Sequence, residues 1–289
     1  MKKNIKIIMT ALLCCSMIIG CKTKKAFDPE SENDIKLDSI VVSERYYLLG
    51  DTTNPFCTLE SNFIFPTEYK DEEVFSKLNR YFIESFFGED VTSVTPKEAM
   101  DSYVQKYISD YKELEGDFIT ETGIAGEKPS QESWFAYYEV SSNEIMYNKC
   151  ELLSYTVSVE YYTGGAHGGH GYNNHVLYLK TGEVIFETDI FIENYQDALA
   201  ELIVYTIAID NNLSAPEELE NKGYFNIEEI YPNGNFYVDE NGITYTFNVY
   251  EIAPYYLGKT DVFLPYEKIR HLLLKDSPIA SIAFLDKNK

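Results

Sequence analysis

Three of the chain's four histidines, His167, His170 and His175, stand within the run GGAHGGHGYNNH at 164–175. Imidazoles at that density can hold zinc, which needs neutral nitrogens converging at about 2 Å, with a carboxylate or water completing the set. Glu160 is the carboxylate closest to hand. The glycines around these histidines argue against a metal, because they fix no ring position and offer no outer partner to orient one. The sequence favours a structural turn in which Gly164, Gly165 and Ala166 shape the chain and His167 bonds back to backbone. No metal and no cofactor are expected.

Other chemistries find little support. Gly-x-Ser-x-Gly is absent, and Cys57 and Cys150 have no histidine beside them in sequence. Paired carboxylates can hydrolyse glycosides, but with 47 acidic residues some pair always qualifies. No glycine-rich loop leads into a Lys-Ser/Thr phosphate cradle. No catalytic residue is expected. The segment Tyr250-Glu251-Ile252-Ala253-Pro254-Tyr255 allows two readings. Tyr255 and Tyr256 can present aromatic faces to a sugar or a protein. Alternatively Pro254 ends a strand while Tyr250 and Ile252 pack inward.

A further reactive residue stands near the start. Lys2, Lys3 and Lys6 precede an apolar stretch from Ile7 to Ile19, which ends in Ile18-Ile19-Gly20-Cys21. This has the form of a secretory leader, too short to persist as a membrane span. A small residue before cysteine is the pattern at which bacterial lipoproteins are acylated. Cys14 and Cys15 lack that small residue, since Leu13 and Cys14 precede them. Cys21 is therefore expected to carry the lipid, holding the protein to the cell membrane on the outer side of the bacterial cytoplasm.

Composition narrows the partners. The formal charge of −23 becomes −26 once a leader with three lysines and no acids is removed. Such a surface is unsuited to nucleic acid or anionic lipid heads and attracts cationic partners. With 25 Tyr, 17 Phe and 45% hydrophobic residues, the chain can build a real core. Cys57 and Cys150 can form one bridge in an oxidising compartment or sit as separate buried thiols. Sequence leaves both open.

The elements that must position these residues read as follows. Residues 1–20 are the leader and 21–36 a polar tether, reaching about 50 Å at most. Strands are expected at 39–48 and 56–65, and a helix at 71–87 with Val74, Leu78, Phe82 and Phe86 spaced by four. Thr95-Pro96-Lys97-Glu98 opens a second helix, along which Tyr103, Tyr107, Tyr111 and Leu114 form a core stripe ending near Gly116. A strand at 134–139 follows, then a long β-prone run at 144–162, interrupted or bulged. The turn 164–171, strands at 175–179 and 183–186, and a helix at 195–209 come next. Beyond a short helix at 216–222, strands at 236–238 and 243–250 flank Asn241-Gly242. A last strand at 261–264 leads into a helix at 266–274. The fold class is α+β: antiparallel sheets with packed helices in two subdomains, 37–141 and 142–289.

YYTGGAHGGHG (161–171), YLKTGEVIFETDIF (178–191) and NGITYTFNVYEIAPYYLGKTDVFLPYEKI (241–269) resemble a family of extracytoplasmic domains. These form the sensor ectodomain of the lysozyme-responsive anti-sigma factor RsiV and the accessory region of PdaC-type peptidoglycan deacetylases. NPFCTLESNFIFPTEYKDEEVFSKLN (54–79) resembles the companion domain ahead of it, so the likeness spans about residues 40–280. The family's usual proline after Gly-Gly-Ala-His is Gly168 here, which predicts a looser turn. An anti-sigma factor has a cytoplasmic segment and a transmembrane helix where this chain has a cleavable leader, and no deacetylase domain follows. The resemblance implies an extracytoplasmic envelope module that recognises a lysozyme-like cationic protein or a peptidoglycan-related ligand; with the leader and Cys21, the expectation is a lipid-anchored envelope binding protein that does not transform its ligand. Gly164, Gly165, Ala166, His167, Tyr250, Glu251 and Tyr255 are its expected contact residues. An envelope hydrolase or deacetylase with a His/Glu metal site is the alternative, and a structural envelope spacer the third reading.

Overall fold

A computed structural model describes residues 31–93, 95–125 and 132–285. The expected leader, Cys21 and the tether up to residue 30 lie outside them. β1 (Ile35–Tyr47) and β2 (Phe56–Tyr69) form a long antiparallel hairpin. Residues read as the end of the tether are docked. The Asn33 side chain donates to the Leu152 carbonyl at 2.8 Å and accepts from the Glu151 amide at 2.7 Å.

α1 (Glu72–Phe87) starts where the Asp71 carboxylate accepts from the Glu73 and Val74 amides, satisfying two donors the first turn leaves open. α2 (Pro96–Lys112) starts at Thr95, which accepts from the Glu98 amide. Gly116, which reads in sequence as a helix stop, instead sits in the first turn of a further helix, α3 (Glu115–Ala125). The tyrosine stripe of α2 is anchored on the sheet: Tyr107 donates to the Thr58 carbonyl at 2.9 Å, and Tyr103 bonds Glu139.

The chain then returns as β3 (Tyr137–Lys149), β4 (Leu152–Tyr162), β5 (Gly169–Tyr178) and the two-residue β6 (Glu183–Val184). All six strands make one sheet in sequence order, antiparallel except for a parallel β2–β3 pair. The connection through α1–α3 is long enough for the crossover that a parallel pair requires. The β-prone run 144–162 breaks at Cys150 and Glu151, with φ of 56° and 62°. A Cys-Glu pair gives no turn signal, so sequence places no hairpin there. β5 starts at Gly169, converting the last three residues of the expected turn, 169–171, into strand.

α4 (Glu187–Ile190) and α5 (Gln196–Asp210) precede a three-stranded antiparallel sheet of β7 (Phe236–Val238), β8 (Gly242–Phe247) and β9 (Thr260–Pro265). The architecture is α+β. Period-two alternation gives β4 two characters. Leu153, Tyr155 and Val157 pack with Leu78, Phe82 and Phe86 of α1. Leu152 faces the second sheet, sharing a core with Tyr245, Ile203 and Ile207, while Ser154 donates to the Val238 carbonyl at 2.8 Å. The expected division between 141 and 142 falls inside β3, whose residues pair with β2 on one side and β4 on the other.

The bridge between Cys57 and Cys150 is not formed, and both are thiols in separate cores. Cys57 lies opposite Tyr137 at the start of β3, and Cys150 follows the strand's last residue, Lys149. At about 3.3 Å per residue this separates them by roughly 40 Å, where a disulfide needs Cα atoms within about 7 Å. Among the described residues no helix is long and apolar enough to cross a membrane.

Candidate functional site

The two motifs singled out in sequence meet in space. His167, exposed on the β4–β5 turn, stacks on Tyr255 with ring centroids 4.3 Å apart and 23° between planes. Its Nδ1 lies 2.9 Å from the Gly168 carbonyl and its Nε2 3.5 Å from the Tyr250 hydroxyl. His170 tilts against the same Tyr255 ring at 5.4 Å, and Tyr250 does so at 5.9 Å. His175 takes no part. It points to the other face of β5, stacked on buried Tyr155 at 4.9 Å, and burial pushes its pKa down to about 4.

Tyr250 departs from the expected inward packing. Ile252 is buried, but Tyr250 is 56% exposed with φ 68°, and its amide bonds the Ala253 carbonyl at 3.0 Å. An exposed aromatic held in the left-handed region is a strain that the surrounding structure must impose. Pro254 does not end a strand, since β8 stops at Phe247 and the proline instead precedes a short 3-10 turn, Tyr255–Leu257. Glu251 stays exposed, accepting from the Asn233 side chain at 2.8 Å.

The turn under His167 is tight where the sequence predicted looseness. A Cβ on Gly168 would stand 2.5 Å from the Tyr161 carbonyl oxygen, closer than any side chain tolerates. Gly164, at φ 84°, would press a Cβ to 2.9 Å from the backbone of Trp134. Gly165 supplies the carbonyl to which the Tyr162 hydroxyl donates at 2.8 Å, and Ala166 is exposed beside it.

From this cluster a polar face runs along the six-stranded sheet. Glu160 lies opposite His170, Ser158 opposite Tyr172 and Thr156 opposite Asn174. Tyr138 donates to Glu160 at 2.9 Å, and that carboxylate holds the phenol above its ordinary range. The face ends in a cleft of about 180 Å³ against the second sheet, lined by Ser142, Glu144, Tyr172, Tyr237, Lys259 and Asp261 among others. Its floor is a chain of bonds. Thr156 donates to Asn174 at 2.6 Å, Asn174 to Thr246 at 2.9 Å, Thr246 to Asp261 at 2.8 Å, and Lys259 closes on Asp261.

Glu160 pairs with Tyr138 rather than completing a metal set, and among the described residues no group of three or more His, Cys, Asp or Glu could hold a metal ion. The arrangement suits contact. It offers aromatic edges, hydroxyls and carboxylates on rigid strands. Sequence reasoning missed Tyr138, Tyr172, Asn174 and Asp261. The available signal was the polar alternation Thr156-x-Ser158-x-Glu160 opposite the apolar Tyr155 and Val157.

The family model described as "Protein of unknown function (DUF3298)" matches residues 188–267, a span that includes Tyr250, Glu251 and Tyr255. A crystal structure of a DUF3298 family member from Bacteroides fragilis NCTC 9343 is similar at 32% identity and a TM-score of 0.81, covering 89% of this chain and 98% of that one. A DUF3298 family protein from Pseudomonas aeruginosa PAO1 shares the fold at 12% identity and a TM-score of 0.55, over 83% of this chain and 95% of that one. No curated protein matches. By its identity to the Bacteroides protein over nearly that protein's whole length, the chain belongs to the DUF3298 family.

Proposed function

We propose that this protein is a lipid-anchored, non-catalytic binding protein of the bacterial cell envelope, of the RsiV/PdaC-type extracytoplasmic class. Its ligand is a lysozyme-like cationic protein or a peptidoglycan fragment, met by the surface around His167. The observation that carries this reading is the stack of His167 on Tyr255, flanked by exposed Tyr250 and by Glu160 and Glu251. Exposed tyrosines set among carboxylates match the anchors of protein interfaces that receive cationic side chains. The polar cleft beside them offers hydroxyl and amide partners for sugar. The leader and Cys21 support anchoring outside the cytoplasm.

Calorimetric titration of the purified protein with lysozyme and, separately, with muropeptides tests the reading. Binding is expected with one of the two, weakened about tenfold or more by Tyr250→Ala or His167→Ala, as for interface hot spots. Absence of heat with both, together with undiminished lysozyme activity, overturns it. Mass spectrometry of the membrane-extracted protein checks the anchor, with an acylated Cys21 at the N-terminus as the expected result.

A further inference from the structure

Helix α5 carries apolar residues on more sides than its own core uses. Leu199, Ile203 and Ile207 turn inward and are fully buried. On the adjoining side Ala198, Leu202, Tyr205 and Ile209 follow one another at spacings of four, three and four, and there Tyr205 is 55% and Ile209 53% exposed. A helix apolar around so much of its circumference is normally covered on both sides. Four-three spacing is also the seam into which a second helix packs. The stripe runs beside a groove of about 890 Å³, whose far wall is built from Pro216, Ile227, Ile230 and Tyr231. The groove shares no residue with the surface around His167.

Charge selects the occupant. The acids in the lining are Asp197, Glu201 and Glu228, and His271 is the single basic side chain there. A second copy of this chain would set acid against acid across the seam, which is costly. We propose that the groove docks an amphipathic helix of a partner protein, with apolar residues at four-three spacing between flanking lysines or arginines. The apolar seam supplies the contact area, and the acids orient the helix and speed its approach.

The test uses the full-length protein in mild detergent and two synthetic helix-forming peptides of two heptads. Both carry leucine at the four-three positions, flanked by lysine in one and by glutamate in the other. The lysine peptide is expected to bind saturably by fluorescence anisotropy, and the glutamate peptide about tenfold more weakly or worse. Tyr205→Glu removes binding, and Asp197→Lys combined with Glu201→Lys inverts the preference. Should Tyr205→Glu fail to fold, Ile209→Glu makes the same change farther along the exposed stripe. His167→Ala leaves peptide binding unchanged, so failure here is separable from failure of the envelope-ligand reading. Equal affinity for both peptides, no saturable binding of the lysine peptide, or binding that survives the glutamate substitutions overturns the proposal. So does a concentration-dependent dimer that Tyr205→Glu abolishes, which would assign the groove to a second copy.

Discussion

Asn248 acts toward Tyr172 as a missing strand would. Its side-chain oxygen accepts from the Tyr172 amide at 2.8 Å, and its side-chain nitrogen donates to the Tyr172 carbonyl at 3.0 Å. One amide thereby pins the second sheet to β5, two residues before Tyr250.

Replacing that amide tests the clamp. Asn248→Ala leaves the Tyr172 amide without its partner and is expected to cost about 1–3 kcal/mol, read by urea denaturation. Hydrogen exchange at the Tyr172 amide should accelerate in the same variant. Asn248→Asp keeps the acceptor and loses the donor, so an intermediate loss is expected. Unchanged stability in both variants refutes the role.

Acid should weaken the fold through His175. Burial lowers its pKa from 6.5 to about 4, and its Nε2 has no hydrogen-bond partner among the described residues. The unfolded chain takes up a proton near pH 6.5 that the native state refuses. Above that pH the residue leaves stability unaffected. Below it stability declines, and the full cost, on the order of 3 kcal/mol, is reached once the pH passes 4. His175→Leu should flatten the corresponding slope. The difference between the two denaturation profiles from about pH 8 to 4 isolates it from groups such as Glu139, whose carboxyl burial pushes up. Parallel profiles would contradict the assignment.

Gly168→Ala should distort the turn carrying His167, because its new methyl meets the Tyr161 carbonyl oxygen at 2.5 Å. A loss of about 1–3 kcal/mol is expected from such overpacking. Trp134, the chain's one tryptophan, lies against this turn, so its emission should shift in the variant. An unaltered spectrum and melting point count against the tight turn.

Thiol counting checks the separation of Cys57 and Cys150. Alkylation of the denatured, unreduced protein should label both, and reductant should leave the melting temperature unchanged. A mass two hydrogen atoms lighter, with neither cysteine labelled, would contradict the sheet register that places them at opposite ends of β3.

Much of this fold was legible because its signals are local. Asp71 and Thr95 mark helix starts by side-chain capping, and Asn241-Gly242 marks the β7–β8 turn. What sequence hid was non-local or chemically unmarked. Cys150 and Glu151 turn the chain with residues that seldom adopt positive φ, and Gly116 opens a helix where glycine usually closes one. The site was half legible. His167 and Tyr255 were each named from their motifs, but only the packing of β5 against the second sheet brings them together across 88 positions. Tyr138 precedes both motifs in sequence and joins the site only because β3 pairs with β4 and sets its hydroxyl on Glu160.

The parallel join between β2 and β3 has one more effect. Six residues of the first half, Cys57–Asn62, pair on one side with β1 and on the other with a strand that continues into the second half. Cut apart, each portion would expose a raw hydrogen-bonding margin, ready to recruit whatever chain came near. The two portions are thus expected to fold as a single piece.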